Sequence, residues 1–82
     1  MTEPLSKSEA LSAAKAVTIG GFGGMFRAVR KSRGWRAPDN GRLESGCSEE
    51  LDRLIKAAIG DFWGRSETQI AAKLEAYAKG NA

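Results

Sequence analysis

Apolar residues recur along this chain at the three- and four-residue spacing of helix faces, and polar caps mark where each face begins. Ala10, Ala13, Ala14 and Val17 form the first stripe, with Leu11 on its flank. Ahead of it, Ser6-Lys7-Ser8-Glu9 has the S-x-x-E spacing of a capping box, in which the serine oxygen accepts from the Glu9 amide and the Glu9 carboxylate from the Ser6 amide. Leu5 and Ala10 stand where a hydrophobic staple belongs. Phe22, Met25, Phe26 and Val29 make a second stripe, which puts Arg27 and Lys31 on the opposite side and Arg30 on the flank. The third is the longest: Leu51, Leu54, Ile55, Ala58, Ile59 and Phe62, preceded by Ser48 as N-cap and by Glu49 and Glu50, whose charge suits a helix N-terminus. Ser66-Glu67-Thr68-Gln69 repeats the capping-box spacing and opens a fourth stripe through Ile70, Ala71, Leu74, Tyr77 and Ala78 to Gly80.

Glycines punctuate these stripes. Gly20-Gly21 separates the first two, Gly34 ends the second and Gly64 the third, leaving a junction, Gly64-Arg65, short enough to fold the last two helices into a hairpin. A competing reading joins the first two stripes in one helix, because Ser12, Ala16, Gly20, Gly24 and Ala28 form a ladder of small residues four apart. Four interior glycines cost roughly 3 to 4 kcal/mol relative to alanine, which favours two helices with a break near Gly20 to Gly21. Residues 34–47 are the long irregular stretch. Pro38-Asp39-Asn40-Gly41 is a turn signal within it, and a minor hairpin pairing Arg36-Ala37 with Arg42-Leu43 competes with an ordered loop. The expected fold class is all-α: a small bundle of about four short helices with one irregular loop or minor hairpin near residues 34–47, in a single domain over 1–82.

Composition narrows the function classes. A chain of 82 residues buries only about 60% of the surface it exposes when unfolded. Leu, Ile, Val and Phe together number fifteen, a lean core that a homodimer or a covering partner would supplement. One cysteine, Cys47, and no histidine exclude an internal disulfide framework and the usual zinc sites, and point to a reducing, cytoplasmic setting. No apolar run approaches the roughly 20 residues of a membrane span, and Met1-Thr2-Glu3-Pro4 has no signal-peptide pattern. Without histidine, Cys47 and the serines lack their commonest general base, and Glu49, Glu50 and Asp52 read as first-turn dipole partners and solvating charge. Neither enzyme activity nor a cofactor or metal is expected. The glycine cluster lacks both phosphate-loop spacings and reads as a hinge or a close packing of backbones.

Charge distribution supplies the candidate site. Net charge is only +3, yet between Arg27 and Arg42 lie six cations and one anion. The cations Arg27, Arg30, Lys31, Arg33, Arg36 and Arg42 surround Trp35, and arginine beside tryptophan is the pairing that dominates interface energetics. Trp63 reads instead as a packing residue. The basic surface suits a noncatalytic protein-binding module, a small inhibitor or adaptor that docks on an acidic or nucleic-acid-handling protein; a phage-type antagonist of host machinery fits the size. The alternative is direct DNA or RNA binding, with the first two helices and the hairpin imitating a winged helix-turn-helix. That reading is weakened by a second helix without Asn, Gln or Thr for base readout. A membrane-surface helix has the right amphipathic pattern, but it would expose a face the core needs.

Overall fold

The computed structural model of the chain describes residues 3–36 and 47–81. Among them, three α-helices follow one another, α1 (Lys7–Arg33), α2 (Glu49–Ile59) and α3 (Glu67–Ala76), the last running into a π-helical turn at Tyr77–Asn81. The described residues are mostly helical and include no strand, so the chain is all-α. The serines find their predicted roles. Ser6 and Ser66 each complete a reciprocal capping box, with Glu9 and Gln69 respectively, and the Ser48 hydroxyl accepts from the Leu51 amide at 3.1 Å.

The expected count of about four helices is corrected to three, because one element, α1, carries both of the first two stripes. It does so with a sharp bend. Gly21 stands at φ 69 and ψ −160, a conformation open essentially to glycine alone, while the residues on either side keep helical geometry. The bend turns α1 back on itself. The Arg33 guanidinium meets the Glu9 carboxylate at 2.7 Å, although 24 residues of straight helix would hold them about 36 Å apart. Two arms, 7–20 and 22–33, therefore lie antiparallel. They lie close together: a side chain added at Gly24 would come within 2.9 Å of the Ala16 carbonyl oxygen. The ladder of small residues thus reflects two backbones in contact across a bend, not an unbroken rod.

α3 packs chiefly on α1. Its first turn lies at the bend, where the Glu67 carboxylate borders Gly21, and its far end returns to the start of the chain, where the Tyr77 hydroxyl donates to the Leu5 carbonyl at 2.7 Å. It consequently runs antiparallel to arm 7–20 and parallel to arm 22–33. Ala10, Ala13, Ala14 and Val17 from one arm and Met25, Phe26 and Val29 from the other share one core with Leu51, Ile55, Ile70 and Leu74. The alanines of the first stripe let α3 approach closely, and burying the larger side chains contributes about 1.5 to 3 kcal/mol each.

α2 ends earlier than its stripe suggests. Gly60, at φ 81, takes the backbone out of the helix while its amide still donates to the Lys56 carbonyl at 2.8 Å. Phe62 is buried all the same, but from the junction that follows the helix and not from the helix itself. The junction between α2 and α3 is correspondingly longer than Gly64-Arg65. It delivers Phe62 and Trp63 into a cluster with Phe22 and Phe26, with ring centroids 4.9 to 6.2 Å apart, the phenylalanines meeting edge-on and Trp63 tilted against them. The Trp63 indole donates to the Asp52 carboxylate at 2.6 Å, and Lys56 pairs with the same group at 3.2 Å. Asp52 is therefore a specific anchor for the junction as well as a first-turn charge. The suggested minor hairpin, like Arg42, falls on residues 37–46 and lies outside the described residues.

Candidate interaction surface

The basic residues singled out by sequence divide into two groups once α1 is folded. Arg33 is half-buried and tied down within the fold. Its Nε donates to Glu9 Oε2 and its Nη2 to Glu9 Oε1, both at 2.7 Å, a bidentate fork that planar guanidinium geometry favours. The remaining donors reach the carbonyls of Glu3 at 2.9 Å and Pro4 at 2.8 Å, while Ser32 adds a 3.2 Å bond to Glu9. A cleft bordered by Pro4, Ser32, Trp35 and Glu50 surrounds this pair. Glu9 is only 8% exposed. The Arg33 hydrogen bond, with help from the Ser6 amide and Ser32, holds its carboxyl down at about 2 against the opposing effect of burial. The same bond raises the already high pKa of Arg33. Arg33 closes the hairpin.

Trp35 is positioned by the way α1 ends. Gly34 takes a left-handed conformation, φ 71, its amide reaching the Lys31 carbonyl while the Trp35 amide reaches the Arg30 carbonyl at 2.9 Å. That pair of bonds is a Schellman motif, which swings the next side chain back against the helix. Trp35 accordingly packs half-buried on the core, with the Arg33 guanidinium 5.5 Å from its ring centroid.

Arg27, Lys31 and Arg36 are exposed, and Arg30 is half-buried and engaged in an interaction of its own. Arg27 and Lys31 share the side of arm 22–33 that faces away from the core, as the stripe predicts. What sequence reasoning missed is the contribution of arm 7–20. Ile19, at 81% exposure, and Leu11, at 45%, are the large hydrophobic residues left in solvent among the described ones. Lys15 and Arg27 flank a groove between the arms whose floor includes Ala16, Gly20, Gly24 and Ala28. The signal was present: Leu11, Lys15 and Ile19, four apart, fall outside the Ala10/Val17 stripe. The excess of cations over residues 27–42 masks it.

α1 carries six cations, Lys7, Lys15, Arg27, Arg30, Lys31 and Arg33, and a single carboxylate, Glu9, which is tied to Arg33. The face that α1 turns outward is thus positive. The remaining described carboxylates lie at Glu3 and from Glu49 onward. Cys47 offers no reactive thiolate; burial, aided by the Asp52 charge, pushes its pKa up to about 12. No helix among the described residues is long and apolar enough to cross a membrane. No protein-family model matches the chain, and no curated protein or solved structure is significantly similar to it.

Proposed function

We propose that the chain is a noncatalytic protein-binding module, a small inhibitor or adaptor that docks the outward face of α1 onto an acidic protein surface, such as that of a nucleic-acid-handling protein. The observation that carries this reading is the charge layout of α1, whose one carboxylate is engaged by Arg33 while Lys7, Lys15, Arg27 and Lys31 stay exposed. Electrostatic complementarity of this kind accelerates encounter and selects partners by charge. A cytoplasmic setting and self-association belong to the same proposal, suggested by the lone cysteine and the lean core.

Direct binding to DNA or RNA draws on the same cations, but the arms of α1 lie side by side and antiparallel. A helix-turn-helix instead crosses its two helices at about 90–120° to present one of them to a groove. The antiparallel arms therefore favour the protein-binding reading. The test is affinity capture of partners from lysate with and without nuclease treatment, with Arg27→Glu/Lys31→Glu as the comparison. Loss of a stoichiometric protein partner on charge reversal is the expected result. Capture that depends on intact nucleic acid, or that ignores the charge reversal, refutes the proposal.

A further inference from the structure

We propose that the outer groove between the two arms of α1 receives an amphipathic helix of the partner, its apolar ridge against Leu11 and Ile19 and its acidic flanks against Lys15 and Arg27. This rests on the protein-binding reading and narrows it to one binding mode and one partner chemistry. The large hydrophobic side chains left exposed among the described residues lie on arm 7–20, eight positions and roughly two turns apart on one face. One of them, Ile19, lies on the groove itself, between cations contributed by the two arms. Among the described residues, no carboxylate lines this groove or the adjoining hollow formed by Lys7, Leu11 and Lys15, and Glu67 meets the backbone at Gly21, one residue beyond the groove's Gly20. An apolar strip with positive edges is complementary to an apolar ridge with negative edges.

Other occupants fit less well. A second copy of this chain, related by a twofold axis across the face, would set Lys15 and Arg27 against their own counterparts. A bilayer takes up a broad apolar face, whereas among the described residues only Leu11 and Ile19 are large apolar side chains offered to solvent here. A helix has a precedent in the molecule, since α3 already packs along the inner side of α1. Gly20 adds an independent indication. A side chain there would meet nothing within 4 Å, so the fold does not demand glycine at this point, although glycine is a poorer helix former than alanine. A second helix lying close over Gly20 would demand it.

The probe is a fluorescein-labelled amphipathic helical peptide of about five turns, leucines on one face and glutamates beside them, measured by anisotropy against the full chain. A peptide with lysines in place of the glutamates, and vesicles of phosphatidylcholine with phosphatidylglycerol, are the controls. The acidic peptide is expected to bind, the lysine peptide is not, and Ile19→Glu and Gly20→Leu are each expected to weaken binding at least about tenfold. Both substitutions fall on exposed positions, and circular dichroism verifies that the fold survives. Binding that is lost in Arg27→Glu/Lys31→Glu but indifferent to Ile19→Glu and Gly20→Leu removes the groove and leaves the protein-binding reading standing. Absence of binding to the acidic peptide, or equal binding of the lysine peptide, overturns the inference, and indifference to every charge reversal removes the wider reading with it. Tighter binding to the vesicles, or self-association abolished by Ile19→Glu, assigns the face to a membrane or to a second copy and overturns it as well.

Discussion

Replacing Glu9 by glutamine tests the closure of the α1 hairpin most directly. The substitution keeps the size of the side chain and an oxygen for the Ser6 amide, but removes the charge that faces Arg33. Glu9 titrates at about 2 in the folded chain against 4.5 for a free glutamate, and at about 1.36 kcal/mol per unit this difference corresponds to roughly 3 kcal/mol of stability. Because its folded pKa is depressed, that stability is present above about pH 4.5 and is lost as pH falls through about 2. The side chain is almost enclosed, so solvent screens the pair weakly. Breaking a buried pair also strands its partner, at a typical cost of about 3 to 5 kcal/mol, although here Arg33 retains the Glu3 and Pro4 carbonyls. Urea unfolding at pH 7 should therefore show Glu9→Gln destabilised by about 3 kcal/mol, and the gap from wild type should narrow to under about 1 kcal/mol near pH 2. A Glu9→Gln chain within about 0.5 kcal/mol of wild type at pH 7, or a gap that does not change with pH, would refute the reasoning.

Three further substitutions and one treatment follow from the geometry. Gly21→Ala should lower stability by about 1 to 3 kcal/mol because it forces a side chain into a glycine-only conformation beside Glu67; Gly20→Ala should be neutral or stabilising by up to about 1 kcal/mol, and equal melting temperatures for the two variants would show that no bend exists. Trp63→Phe keeps an aromatic ring in the cluster but deletes the donor to Asp52 and part of the indole's volume, so urea unfolding should register a loss of about 1 to 3 kcal/mol; a change below about 0.5 kcal/mol would make that hydrogen bond incidental. Cys47, with its thiol pKa pushed up to about 12 from 9.0, should react with iodoacetamide at pH 8 on the order of a thousandfold slower in the folded chain than in urea, in proportion to its thiolate fraction. Comparable rates in the two states would show that the thiol is accessible.

Local signals in the sequence proved reliable wherever the cause was itself local. Ser6, Ser48 and Ser66 cap their helices because a serine oxygen three residues ahead of an amide needs no tertiary help to find it. The stripe residues Val17, Phe26, Leu51 and Leu74 are buried for the same reason of periodicity. What failed was the division into elements. Gly20 and Gly21 look equivalent in the sequence, yet only Gly21 departs from helical geometry, and the helix continues on both sides of it. Gly60, which a propensity argument treats as a weak point within a helix, ends α2 in a positive-φ conformation, and Phe62 and Trp63 beyond it join Phe22 and Phe26 instead of extending the stripe. Those aromatic partners are some forty positions away, and no window of sequence contains both.

The candidate surface was half legible, and the reason is one ion pair. Counted along the chain, Arg33 is one more cation in a basic run, and Glu9 is a capping residue twenty-four positions earlier. Folding brings them together, which subtracts Arg33 from the outward surface and at the same time removes the only carboxylate on α1 from it. The positive face therefore does not coincide with the basic run. It crosses both arms and takes in Lys7 and Lys15 along with Arg27 and Lys31, and it acquires Ile19 and Leu11, which a charge count cannot see. The bend at Gly21 is what places these two halves side by side. A substitution that straightened or loosened it would dismantle the proposed groove without touching any residue that lines the contact, so Gly21→Ala should weaken binding of the acidic peptide even under conditions where the variant remains helical.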